Sequence, residues 1–180
     1  MKTRQTIRFV LPLMLMFSAC STGQAQAQEE TLPQFSAEQR WDRLAFHWTS
    51  WAAASILHAR SEGRTAEDAG QEIGELYAPS WGPDLTPRGF MLGTHRNVMA
   101  WRNARFDVLE VSDQRASFRY KPSYPSIFGE DGEWLGVTVE EVDLYMVEIH
   151  RVIVEHNGLA FQWERDGDDF VFTISVPSGT

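Results

Sequence analysis

The apolar residues change their spacing near Arg105, and that change fixes the fold class. Before it they recur at helical intervals. After it they alternate from Phe106 to Tyr120, and a second alternating stretch closes the chain from Leu159 to Val176. A period near 3.6 marks an amphipathic helix and a period of two marks a half-buried strand. Helical and strand blocks kept apart in this way predict an α+β fold, with helices laid on a mostly antiparallel sheet.

Ser36 is the first helix cap. The helix it opens, about Ala37 to Arg60, is apolar nearly all round: Trp41, Leu44, Trp48, Ala52 and Ala59 share one face, and Phe46, Ala53 and Leu57 another. Such a helix is expected in the middle of a fold. His47, His58, Arg43 and Arg60 speak against its spanning a membrane. Thr65 with Asp68 reads as a capping box for a second helix ending near Tyr77. Its Gly70 and Gly74, four apart, leave one side bare for a close neighbour. After the break at Ala78-Pro79-Ser80-Trp81-Gly82-Pro83, Thr86-Pro87 opens a third helix that should reach about Asn103.

Phe106 to Val111 and Ala116 to Lys121 form a hairpin across Asp113-Gln114-Arg115. A Pro- and Gly-rich loop runs from Pro122 to Gly136. Thr138 with Glu141 caps a long fourth helix that stops at Gly158. Strands at about Leu159–Glu164 and Phe170–Val176 turn at Asp166–Asp169. The expected order is αααββαββ, with a four-stranded sheet.

Ahead of this domain, Lys2, Arg4 and Arg8 precede an uncharged run from Phe9 to Ala19. A basic start, a short apolar core and small residues at the exit are the parts of a secretory signal. The run of 11 residues falls short of the roughly twenty that span a bilayer. Phe17-Ser18-Ala19-Cys20 resembles the lipobox of bacterial lipoproteins, with Phe17 where leucine is usual. In that case Cys20 bears the lipid, residues 1–20 are the signal, and Ser21 implies sorting to the outer membrane. A cut after Ala25-Gln26-Ala27 is the alternative, giving a soluble secreted form. Residues 21–36 read as a flexible tether, and residues 37–180 as one domain. Both readings place that domain outside the cytoplasm, in the periplasm for the lipoprotein.

Cys20 is the only cysteine, so the domain has no disulfide, thiol nucleophile or thiolate metal ligand. The signal holds three of the 16 basic residues and no acidic one, leaving 13 against 25, or −12. Phosphate backbones offer such a chain nothing, so nucleic acid is not an expected partner. An anionic membrane should repel it, which leaves a lipid on Cys20 as the expected membrane attachment. Seven tryptophans supply more flat apolar surface than a core of this size needs.

Asp143 and His150 are the misfits on the apolar arc of the fourth helix. Seven residues apart, about 10 Å along the axis, they suit two polar handles on one cavity. The plainer readings are a helix-start charge and a satisfied core histidine. His47 and His58 share a stripe with Trp51 and Ala54 between them; they read as two half-buried histidines, or His47 and Trp51 as part of a ligand wall. Trp48, Trp101 and Tyr145 complete the candidate ligand-binding set. Arg102 either clamps a carboxylate or sits on the surface. There is no HExxH, no G-x-S-x-G elbow and no EF-hand spacing in Asp166–Asp169. Glu130, Asp131 and Glu133 among Gly129, Gly132 and Gly136 would repel phosphate. No metal or cofactor is expected.

Phe46-His47-Trp48 with Trp51, then Gly63, Ala66 to Gly70, Ile73 and Leu76, is similar to the helical part of the amino-thiazoline-carboxylate hydrolase-like family. Gly158 through Glu164-Arg165 to Gly167-Asp168-Asp169-Phe170-Val171-Phe172 resembles the close of 4-vinyl-reductase-type small-molecule-binding domains. The resemblance implies helices on a small antiparallel sheet and permits hydrolysis of a small heterocyclic or amide substrate. It assigns no catalytic residue here. The leading expectation is an exported binder of a small apolar or aromatic molecule held between helices and sheet. A hydrolase using Asp143 or His150 as general base and a structural envelope lipoprotein are the alternatives.

Overall fold

The computed structural model describes residues 34–178; the signal, Cys20 and most of the tether lie outside them. Helices α1 (Ala37–Ser61), α2 (Ala66–Tyr77) and α3 (Pro87–Val98) come first. Strands β1 (Arg105–Val111) and β2 (Arg115–Lys121) follow, then the two-residue strands β3 (Glu133–Trp134) and β4 (Val137–Thr138). Helix α4 (Val139–His156) and strands β5 (Ala160–Asp166) and β6 (Asp169–Ser175) complete the domain. Four strands form one antiparallel sheet, as expected, and their spatial order is β1-β2-β6-β5. Phe35–Thr180 is a compact unit, and its core residues run from Ala52 to Ile174.

The caps form as read. Ser36, Thr65 and Thr138 each accept from the backbone three residues on, and Gln39, Asp68 and Glu141 answer reciprocally. These boxes satisfy helix-end N–H groups that would otherwise go unpaired. Gly70 and Gly74 serve α4: a methyl group on Gly70 would overlap the Tyr145 carbonyl, and one on Gly74 would overlap Val152.

Phe106, Phe118, Tyr120, Phe170 and Phe172 meet ring to ring on the inner face of the sheet. Phe90 of α3 and His150 of α4 close over them. Phe90, Phe118, Phe170 and Phe172 are fully buried, each contributing roughly 1.5–3 kcal/mol of transfer free energy. The outer sheet face is polar and carries the pairs Arg105–Asp169 and Arg119–Asp166.

Three expectations need correction. The helix with neighbours on both sides is α4, between α2 and the sheet, whereas α1 leaves Trp41, Leu44 and Trp51 exposed. Its small residues Ala52, Ala53 and Ala59 face inward with Ile56 and Thr49, so a narrow stripe suffices for packing. Helix α3 stops at Val98, short of Asn103, because the chain must turn back into β1; Asn103 takes φ 60° in that turn. The loop after β2 contains a 3-10 turn at Tyr124–Ile127 and the β3–β4 hairpin. In β1 the register slips between Val108 and Glu110, which brings Val111 opposite Ala116.

Candidate functional site

The inward register of β5 places Phe161, Trp163 and Arg165 on the packed side of the sheet, since they pair with Ile174, Phe172 and Phe170. An arginine there needs a partner, and α4 supplies one. Asp143 lies 2.9 Å from the Arg165 guanidinium, which also covers the Phe170 ring at 4.5 Å. The Tyr124 hydroxyl donates to the other oxygen of Asp143. A buried carboxylate is tolerable when both oxygens are engaged in this way.

Burial raises the Asp143 pKa, and the Tyr124 hydrogen bond and Arg165 partly offset it. Burial also holds Tyr124 well above the usual phenol range, reinforced by the Asp143 charge. Tyr120 is raised for the same two reasons. Tyr124 therefore stays a neutral donor.

Arg165 forms part of the wall of a half-open cleft of about 470 Å³ with Arg102, Asn103, Lys121, Pro122, Ser123, Pro125, Ser126, Val139 and Asp168. A second half-open cleft, about 320 Å³, shares Arg102, Asn103, Ser123 and Ser126 and adds Trp41, Asp42, Ala45, Trp101 and Ile127. Three cations thus line the larger cleft against one carboxylate. Lys121 pairs with Asp168 at 2.8 Å and holds it below the usual carboxylate range. Arg102 pairs with Asp42 at 3.1 Å and with Glu38.

The sequence candidates do not assemble into one site. His150 does not share a cavity with Asp143. Its Nδ1 lies 2.7 Å from the Met146 carbonyl and its ring sits against Phe90 and Phe172. Burial lowers its pKa to about 4, so it is neutral. The aromatic cluster fills the space between helices and sheet where a ligand was expected. Tyr145 is buried, with its backbone against Gly70 and its hydroxyl near Ser55 and Tyr77, and it lines neither cleft. His47 and Trp51 lie on the outer side of α1, Trp51 at 76% exposure. Trp48 stacks on Tyr124 and meets Trp101 edge-on at 5.1 Å, so those two do come together beside the clefts.

Tyr124, Lys121 and Arg165 escaped the sequence reading. The alternation Phe161-Trp163-Arg165 was the available signal, because it turns a charged side chain toward the core. No known protein family, curated protein or solved structure matches the chain.

Proposed function

We propose that the protein is an exported binding protein for a small carboxylate with an apolar or aromatic body, held in the cleft above Arg165. The observation that carries this reading is the convergence of Arg102, Lys121 and Arg165 on one cleft of an acidic chain. A ligand carboxylate would exchange for a protein one. The Lys121–Asp168 pair is exposed at both ends and gives way at little cost, as surface pairs do. Trp101 in the adjoining smaller cleft and Pro122, Pro125 and Val139 in the wall offer apolar area, and Ser123 and Ser126 fix orientation. Export, and a lipid on Cys20 holding the domain at the outer membrane, follow from the signal and belong to the same reading.

Binding is favoured over hydrolysis because both candidate bases are committed. Asp143 is tied to Tyr124 and Arg165, and His150 has its Nδ1 on the Met146 carbonyl and its ring against Phe90 and Phe172.

Titration with aromatic monocarboxylates and their uncharged amides, followed by tryptophan fluorescence and thermal unfolding, tests the reading. The acids should saturate and raise the unfolding temperature, since a ligand at a hundred times its Kd adds about 2.7 kcal/mol. Lys121→Gln should weaken them. Equal responses to acid and amide, or none, would contradict it.

A further inference from the structure

The apolar residues that α1 leaves uncovered are arranged with a definite charge. At 100° per residue, the arc opposite Thr49, Ala52 and Ile56 carries Arg40, Arg43, Leu44, His47, Trp51 and His58. Leu44 is 66% exposed. Both acidic residues of the helix, Glu38 and Asp42, are turned away from that arc and paired with Arg102. Arg40 and Arg43 have no ion-pair partner among the described residues. So, apart from Ser61 and the Glu62 carboxylate 3.7 Å from His58 at its far end, that face of a chain with 25 acidic residues holds basic, histidine and apolar side chains.

A second exposed apolar feature sits on a neighbouring side of the same helix. The β3–β4 hairpin is seated on α1 through the Phe46–Trp134 ring contact and an Arg60 hydrogen bond to the Gly136 carbonyl at 2.8 Å. Its tip is Leu135, 58% exposed and held at φ 55°. A bulky residue in the left-handed region is strained, and an exposed one gains no burial in return. The two-residue turn imposes it, since both Leu135 and Gly136 must take positive φ there.

We propose that the outer face of α1, with the Leu135 tip beside it, docks on a bilayer surface bearing anionic phospholipids. Arginines beside Trp and Leu suit the headgroup boundary, where the charge meets phosphate and the rings sit at the level of the carbonyls. A second copy of the same face would set Arg40 and Arg43 against their own kind, so self-association through it is disfavoured. No helix among the described residues is long and apolar enough to cross the membrane, so the contact lies on the surface. The overall acidity of the chain does not bar this, because the attraction is local and decays within a Debye length.

The test uses the Phe35–Thr180 domain, which contains the core and lacks Cys20. It is sedimented with vesicles of phosphatidylcholine alone and with about one quarter phosphatidylglycerol, where the anionic vesicles should bind about tenfold more tightly and release it at high salt. Arg40→Glu with Arg43→Glu, and separately Trp51→Ala, should each weaken binding about fivefold or more while the protein stays folded. Leu135→Asn should also weaken it, yet raise the unfolding temperature by relieving the left-handed strain. Equal partitioning onto both vesicle types, no partitioning, or unchanged binding by the charge variant would overturn the proposal. So would a concentration-dependent dimer, or a stable complex with an acidic protein, that Trp51→Ala abolishes.

Discussion

Arg165 reaches from β5 to Asp143 on α4 at 2.9 Å and ties the last hairpin to the helix that crosses it. Arg165 lines the larger cleft, Tyr124 holds the second carboxylate oxygen of Asp143, and Phe170 lies under the guanidinium. The energetics of the pair follow from unequal burial. Asp143 is nearly enclosed while Arg165 is a third exposed, so losing the arginine strands a charge and losing the acid does not.

Arg165→Met should therefore cost about 2–3 kcal/mol, at the low end for a broken buried pair because solvent reaches the arginine. Asp143→Asn should cost less, about 1–2 kcal/mol, since the amide can still accept from Tyr124. The double variant should recover about 1 kcal/mol of the summed losses. Urea unfolding of the four proteins at neutral pH measures all three values.

His150 makes stability depend on acidity in a window that its environment sets. Its pKa falls from 6.5 to about 4 on folding, so the unfolded chain takes up a proton that the folded one refuses. The contribution is complete above pH 6.5 and is lost as pH falls toward about 4, amounting to about 3 kcal/mol at most. In His150→Phe, unfolding curves between those limits should be flatter by that amount.

Gly70 tests the approach of α2 to α4. Alanine favours a helix by about 1 kcal/mol over glycine, yet here its methyl would press on the Tyr145 carbonyl. The overlap should win, with Gly70→Ala less stable by about 1–3 kcal/mol in the same urea assay.

Trp48 and Trp51 lie three apart on one helix and should behave as opposites. Trp48→Ala removes packing against Trp101 and Tyr124 and should cost about 3 kcal/mol. Trp51→Ala should stay within about 0.5 kcal/mol, as surface changes do.

Those two tryptophans also show where the sequence was readable. Caps, the change of period and the paired glycines are local signals, and each marks its element correctly. The inward side of α1 was not local information. Its apolar residues encircle the helix, and its alanines pack more closely than its tryptophans, so periodicity could not say which face turns inward. Asp143 stood out on α4, but its partners Tyr124 and Arg165 lie 19 and 22 residues away, beyond the reach of helix spacing. His150 has the same polarity on paper as a ligand group, and only the rings of Phe90 and Phe172 reveal it as part of the core.

Amide and indole NMR of the domain during addition of an aromatic carboxylate tests the cleft most directly. Saturable shifts should gather on the Trp101 indole, Lys121, Ser123 and Ser126, while the Trp51 indole stays still. Shifts centred on Trp51 or on the Phe90–His150 interior, or a spectrum unchanged at saturating ligand, would contradict a binding site above Arg165.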